Sequence, residues 1–524
     1  MAPMGRADGT PRARRWWNHP ALVLGLVLLF FLLLRVPSWF EPHWYTDEAG
    51  YATTAWLATH GATLYGTVWN NKPPLLFWAY GAALSLFGTS ELGLHLMSTL
   101  LGLVTLLGLW RLALDLIGPR RAVVAVLLAA VPLGLPIINA ELALPESLLI
   151  APATWGMVAT LAAARAGDRP RGSALGVVAG ACFAAAILIQ QTALAETLAA
   201  ALWLLLLPRG RGRRPLVAMI TASILLVGAA LAPYLIWAGP GNVFYLLVTS
   251  YDTYTRHSVG GSPGPILARL VALVLIPIGA FWGRRESEHH WRLVWIWLAA
   301  AALTAALPNR PYVFFTIPLV VPLCLLVARF PDPRRWRVSG LLSLTRARAG
   351  IVLAAVVACA LWGDLLATGG GLTSYTTGLT LGYYQNFANR ALGRESDLSY
   401  LNFFDPRVAG EKAAAAWIEE HGLSGQSGLA WSSDAWVYLL ADLKPVVPTP
   451  ALYVNEMWLG PAGVMARVRE GRPVVVVTTP SSLYNYPQIA PYLKQFYVEV
   501  EHPDQSEVWV RRGHLPAGAV ALSS

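Results

Sequence analysis

Charge is what this 524-residue chain has least of: Asp, Glu, Lys and Arg together make up 13% of it, against 56% hydrophobic residues. Soluble domains carry about 25% charged residues. That scarcity, with a mean hydropathy of +0.50, excludes an ordinary soluble protein and leaves a polytopic membrane protein. Cysteine is equally sparse. Cys182, Cys324 and Cys359 all lie inside apolar runs, which excludes a disulfide framework or thiolate metal site and leaves small buried or lipid-facing side chains. The chain has no phosphate-cradling Gly loop, no Gly-x-Ser-x-Gly and no His, Cys or acidic spacing of metal-ligand type. No cofactor or metal is therefore expected, although a divalent cation is compatible with the acids present. Without a nucleotide-binding element, energy or an activated substrate has to arrive from the membrane. No internal repeat is visible either, which counts against a secondary transporter built of inverted halves.

What is present is a series of apolar runs. The basic tail 1–19 precedes a run at 20–36, followed by bulky Pro37, Ser38, Trp39 and Phe40 where a signal-peptide cleavage site needs small side chains. It reads as an uncleaved anchor. Ten further runs, at 91–117, 122–138, 143–164, 173–190, 192–207, 216–237, 264–282, 292–307, 311–329 and 350–368, bring the expectation to about 11 transmembrane helices. The net charge of +10 comes from short Arg clusters at 120–121, 165–171, 209–214, 284–292 and 329–348. All of them fall on the side of the N-terminus, as cytoplasmic loops do, so nucleic acid is not the expected partner. The pair Gln190-Gln191 is the one ambiguous break. A continuous helix there would reverse every later loop.

This topology puts the loop 38–90 and the tail after 369 outside the cytoplasm. Asp47–His60 and Leu75–Phe87 are each too short to span and are expected as interfacial helices, the first lying on the surface with Tyr51, Trp56 and Leu57 toward the membrane. Residues 369–404 form an aromatic connector suited to the membrane surface, and 405–524 alternate helix-like and strand-like runs, a small α/β domain. The transmembrane part is 20–368.

Acids and cations at the outer loop carry the chemistry. Asp47 and Glu48 are adjacent and diverge by about 100° on a helix, so only one of them can face a given atom. A carboxylate there can act as general base, or the two can be solvated acids near a helix N-terminus. Lys72 can hold a lipid-linked phosphate or simply snorkel at the interface. Glu141 lies in a short connection on the same face, and Glu146, at a helix start after Pro145, reads as a helix-end acid. The loop 251–257, with Arg256 and His257, mixes aromatics with cations suited to phosphate or sugar.

The motif Tyr45-Thr46-Asp47-Glu48-Ala49-Gly50-Tyr51-Ala52, then Gly61, Tyr65, Asn71-Lys72-Pro73-Pro74-Leu75 and Leu86-Phe87-Gly88, resembles the first extracytoplasmic loop of GT-C glycosyltransferases of the protein O-mannosyltransferase and aminoarabinose-transferase type (bacterial families 39 and 83). The resemblance extends more loosely to Asn139-Ala140-Glu141 and to Asn309-Arg310-Pro311-Tyr312. It implies a GT-C membrane enzyme in the plasma (inner) membrane, N-terminus cytoplasmic. Such an enzyme moves a sugar from a polyprenyl-phosphate donor to an acceptor hydroxyl on a glycan, lipid or protein, with inversion. By this resemblance Asp47 is the general base, with Glu48 beside it, Lys72 holds the donor phosphate, and Glu141 is a second acid of the site. Tyr65, Arg256, His257, Arg310 and Tyr312 are proposed donor contacts. One departure is that Trp69-Asn70-Asn71 precedes the lysine where many aminoarabinose transferases carry an acid. The alternatives are a GT-C glycan polymerase or ligase, and a lipid or sugar transporter without bond chemistry.

Overall fold

Proline starts the helices of this chain repeatedly. α1 (Pro20–Arg35), α3 (Pro74–Phe87), α5 (Pro119–Gly134), α6 (Pro145–Ala166) and α7 (Pro170–Ile189) each have it in the first turn, where the missing N–H costs no intrahelical bond and the fixed φ suits the helix. Between and beyond them lie α2 (Thr46–Thr59), α4 (Glu91–Ile117), α8 (Leu194–Leu205) and α9 (Arg213–Trp237). The structure, a computed structural model, describes residues 19–256, 289–306, 312–329, 377–432, 435–479 and 489–522.

Among the described residues, Pro20–Phe40, Glu91–Ile117, Pro145–Ala166, Pro170–Ile189 and Arg213–Trp237 are long and apolar enough to cross a membrane. The chain is thus a multi-pass membrane protein. The runs expected at 122–138, 192–207, 292–307 and 311–329 fold as the shorter or less apolar helices α5, α8, His289–Ala306 and Val320–Ala328. The last is preceded by a 3-10 segment, Val313–Leu319, in which Pro318 interrupts regular α hydrogen bonding. The runs at 264–282 and 350–368 lie outside the described residues, as do the tail 1–18, Cys359, His257 and Arg310.

Packing in the bundle uses small residues. α7 lies against α6 and α9, and a Cβ on Gly180 would come within 2.3 Å of the Met219 carbonyl oxygen. Glycine lets the two backbones approach without that clash. Gln190 is extended (φ −148°, ψ 123°) between the end of α7 and a 3-10 turn at Gln191–Ala193, so the chain does break at the glutamine pair. Arg111, Asp115 and Arg165 form ion pairs of 2.5 and 2.8 Å at the far ends of α4 and α6.

One surface assignment is corrected. α2 does not lie on the membrane with Tyr51 outward. Tyr51 is buried, with ring contacts to Phe77 and Tyr80 at 6.5 and 6.0 Å. Trp56 and Leu57 are half-buried against the core. Ala49, Gly50, Ala52, Thr53 and Ala55 are buried as well, and their small volumes let α2 be covered on both sides, by α3 and by Trp436–Leu440, where Thr53 Oγ1 donates to the Ala435 carbonyl at 3.1 Å. The described part of the connector, Thr377–Ala391 and Asp397–Phe404, keeps Leu381 and Leu398 exposed while its tyrosines reach the end of the first span. Tyr384 and Tyr400 donate to the carbonyls of Leu34 and Phe40 at 2.8 and 2.7 Å, and Tyr383 to Glu41, so the aromatics clasp the end of α1.

The C-terminal part contains a five-stranded sheet of order β2-β1-β3-β5-β4: β1 (Ser427–Trp431), β2 (Lys444–Pro445), β3 (Val475–Thr478), β4 (Tyr497–Glu501) and β5 (Glu507–Arg511). β1 pairs parallel with β2 and β3, and β5 antiparallel with β3 and β4. The helix Leu452–Gly471 bends at Gly460 (φ 70°) before Pro461. Its second half is anchored on the sheet through Val464, Met465 and Val468, while its first half projects toward α2.

Candidate active site

The strap between α2 and α3 is held at many points. Tyr65, itself in the left-handed region (φ 66°), donates its hydroxyl to the Lys72 carbonyl at 2.7 Å. Asn70 accepts from the Lys72 N–H at 3.2 Å and donates to Thr54 Oγ1 at 3.3 Å. Gln191 donates to the Asn71 carbonyl at 2.9 Å. Tyr65 is therefore buried as a support of the lysine backbone rather than as a lining group of the pocket. A lysine whose backbone is fixed in this way can place its ammonium reproducibly.

Lys72 faces a cavity of about 60 Å³, room for a handful of waters at roughly 10–15 Å³ each. Asp47 and Thr46 at the start of α2 form one wall, with Lys72 beside them. Glu146 at the start of α6, Tyr251 and the pair Phe314, Phe315 form the next. Tyr453, Met457 and Trp458, from the first half of Leu452–Gly471, close it. The Tyr453 hydroxyl donates to Asp47 Oδ1 at 3.4 Å, and the Trp69 N–H to the Pro448 carbonyl at 2.6 Å. Burial holds the Lys72 ammonium below the usual lysine range, opposed by the nearby Glu146 and Asp47 charges.

Glu48 points elsewhere, as adjacent positions on a helix must. Its Oε1 accepts from the Ala143 N–H at 2.6 Å and its Oε2 lies 3.8 Å from His95 Nε2. Glu141 is also outside the pocket lining. Its backbone carbonyl accepts from Arg35 at 2.9 Å, while its buried carboxyl oxygens have no hydrogen-bond partner among the described residues. Burial, reinforced by Glu41, pushes that carboxyl up to about 8, so Glu141 is a neutral interior acid at pH 7. Tyr312 stacks on Phe314 (5.4 Å, 10°), and it is the phenylalanines that reach the cavity. The side chain of Arg256, with His257 and Arg310, falls outside the described residues.

Sequence reasoning passed over two residues here. Glu146, read as a helix-end acid, lines the pocket, and Gln190 joins it to Lys72. The signal that could have found them was a polar pair interrupting apolar helices 44 residues from an acid at the same end. A grouping away from this cavity, Glu499, His502 and Glu507 on the β4–β5 hairpin, brings one ligating atom each within 4.8 Å of one another, which the spacing did not show.

A second cavity shares Tyr251 with the first. It holds about 540 Å³ and is lined by Leu194, Leu198, Leu202, Leu247, Ile296 and Leu303, among other apolar side chains. A small pocket holding Asp47, Lys72 and Glu146 thus lies beside a larger apolar one.

Residues 71–237 match the family model described as dolichyl-phosphate-mannose-protein mannosyltransferase. ArnT from Cupriavidus metallidurans, solved bound to undecaprenyl phosphate, superposes with a TM-score of 0.60 at 18% identity over 96% of this chain and 99% of that one. The archaeal oligosaccharyltransferase AglB from Archaeoglobus fulgidus, in complex with an inhibitory peptide and a dolichol-phosphate, gives 0.51 at 11% over 97% and 76%. No curated protein sequence matches the chain. The fold is the GT-C fold of these structures, and the family match with it supports a glycosyltransferase of the type that the outer loop resembles.

Proposed function

We propose that this GT-C-fold chain is an inverting glycosyltransferase that takes a hexosyl or pentosyl unit from a polyprenyl-phosphate donor and gives it to an acceptor hydroxyl outside the cytoplasm. The observation that carries the reading is that Asp47 and Lys72 share one small pocket beside an apolar cavity. The prenyl chain lies along the apolar cavity, with its phosphate at Lys72 and its sugar between Lys72 and Asp47. Asp47 accepts the proton of the acceptor hydroxyl as its oxygen attacks the anomeric carbon. The bond from that carbon to the phosphate oxygen breaks with its electron pair, and polyprenyl phosphate leaves. Lys72 stabilises the charge that grows on the departing phosphate, in a pocket where burial strengthens the interaction. Displacement in one step from opposite faces inverts the anomeric centre. The two solved neighbours support the donor class: one was solved with undecaprenyl phosphate, the other with a dolichol-phosphate and a peptide. The protein works in the plasma membrane with Asp47 and the C-terminal sheet on the outer side, as the Arg clusters direct.

Purified protein incubated with radiolabelled polyprenyl-phosphate sugars and a crude envelope acceptor fraction transfers one of them. Asp47→Asn abolishes transfer and leaves donor binding, and Lys72→Ala weakens donor binding. Full transfer by Asp47→Asn would remove Asp47 as the base.

A further inference from the structure

Lys72 and Glu146 line the same cavity, yet their charges meet through Gln190 rather than directly. The Lys72 ammonium donates to Gln190 Oε1 at 2.7 Å, and Gln190 Nε2 donates to Glu146 Oε1 at 2.6 Å. Gln190 is 1% exposed and its extended backbone sits in the break between two helices. The following residue ties the same strap down through the Asn71 and Leu247 carbonyls at 2.9 and 3.2 Å. The remaining oxygen, Glu146 Oε2, is buried with no partner among the described residues.

An amide is suited to this place because it accepts at one end and donates at the other. A lysine and a glutamate left side by side in a buried pocket would collapse into an ion pair, because each offsets part of the other's desolvation. The ammonium would then be neutralised before any phosphate reached it. With the amide interposed, Lys72 satisfies one of its three N–H groups on a neutral oxygen and keeps two, and most of its field, for an anion. Glu146 is likewise held by one oxygen and presents the other.

We propose that Gln190 is a positioning residue that keeps Lys72 and Glu146 apart, leaving Lys72 for the donor phosphate and Glu146 Oε2 for a hydroxyl or amino hydrogen of the donor sugar. This rests on the phosphate role of Lys72 given above. A sugar placed there is fixed at two points, its phosphate by a cation and a ring substituent by an acceptor, which orients the anomeric carbon toward Asp47.

The test measures binding of polyprenyl phosphate, which has no sugar, to full-length protein in detergent, alongside thermal unfolding of each variant. Gln190→Leu is expected to weaken binding about ten- to hundredfold, because Lys72 then pairs with Glu146 in place of the phosphate. The near-isosteric Gln190→Glu is expected to weaken it similarly with the fold retained, because it sets a carboxylate against the ammonium. The double variant Gln190→Leu with Glu146→Gln is expected to recover most of the wild-type affinity, since Lys72 then no longer has the Glu146 carboxylate to collapse onto. Additive losses in the double variant, or wild-type binding by Gln190→Leu and Gln190→Glu, would overturn the inference. If Lys72→Ala itself binds polyprenyl phosphate as the wild type does, the phosphate role of Lys72 fails, and this inference with it. A weakened Lys72→Ala with an additive double variant removes the Gln190 inference alone. For the sugar contact, Glu146→Gln is expected to raise the KM of the sugar-loaded donor at least severalfold while its polyprenyl-phosphate affinity stays within about twofold of wild type. Equal changes in both would overturn that contact.

Discussion

Two acids that touch in sequence should behave as opposites when each is replaced. Glu48 is 2% exposed, accepts the Ala143 N–H at 2.6 Å and faces His95 at 3.8 Å. Glu48→Ala leaves that backbone donor without its acceptor and His95 without its carboxylate, inside a bundle where water does not substitute. Removing one partner of a buried charged pair costs about 3–5 kcal/mol, and the stranded N–H falls in the same range of loss rather than adding to it in full. Glu48→Gln retains an oxygen for Ala143 and should cost about 1–2 kcal/mol. Asp47 is half-buried at the cavity wall and its contact with Tyr453 is long, 3.4 Å, so Asp47→Asn should stay within about 1 kcal/mol of wild type. The assays are thermal unfolding in detergent, followed by loss of monodisperse protein, and sugar transfer measured well below the unfolding midpoint. Asp47→Asn is expected to unfold like wild type and transfer nothing. Glu48→Gln is expected to unfold earlier and, while folded, to transfer at a rate within severalfold of wild type. A Glu48→Gln protein of wild-type stability with no transfer would refute the reasoning and put Glu48 in the reaction.

Burial lowers the Lys72 ammonium below its usual 10.5, so the charged form is lost on raising pH earlier than for a free lysine. Polyprenyl-phosphate affinity should therefore fall on the alkaline side, starting below 10.5, while the folded state is relieved of a buried charge over the same interval and gains stability relative to the unfolded chain. Titrating the Kd against pH in wild type and in Lys72→Arg checks this, the arginine removing the dependence. Glu141 has the opposite sign. Its folded pKa of about 8 stands above 4.5, so its contribution is full below 4.5 and is lost as pH rises through about 8. Glu141→Gln should accordingly match wild type at low pH and exceed its unfolding temperature increasingly as pH rises from 4.5 to about 8, levelling off beyond, with transfer retained. In the bundle, Gly180→Ala puts a methyl 2.3 Å from the Met219 carbonyl oxygen, and pushing two helices apart should cost about 1–3 kcal/mol, read as a lowered unfolding midpoint.

Local pattern was enough for the elements and not for their neighbours. The run 91–117 has the bounds of α4, and the two helices too short to span, expected at 47–60 and 75–87, are α2 and α3, each one residue earlier at its start, the second opened by Pro73-Pro74. The placing of Tyr51 on the membrane failed because a helix in the outer loop has no hydrophobic stripe of its own. Its apolar and small residues cover the circumference, and only the partners present in space decide which side is buried. The helix Leu452–Gly471, which supplies the wall opposite Asp47, lies more than 400 residues along the chain, and no periodicity registers a contact of that separation.

The sequence by itself determined the solvent of this protein, since 56% hydrophobic residues and long uncharged runs have a stable place only in a bilayer. It also determined that two acids, Asp47 and Glu48, and the cation Lys72 follow the end of the first run. Tertiary structure alone decided which acid of the pair turns toward the cavity, because adjacent helical side chains diverge by about 100° and packing chooses the face. It alone brought Glu146 and Gln190, from two other helices, against Lys72. Hydrogen bonds between side chains are satisfied by proximity in space, and in a folded bundle that proximity is set by how the helices pack rather than by the spacing of residues along the chain.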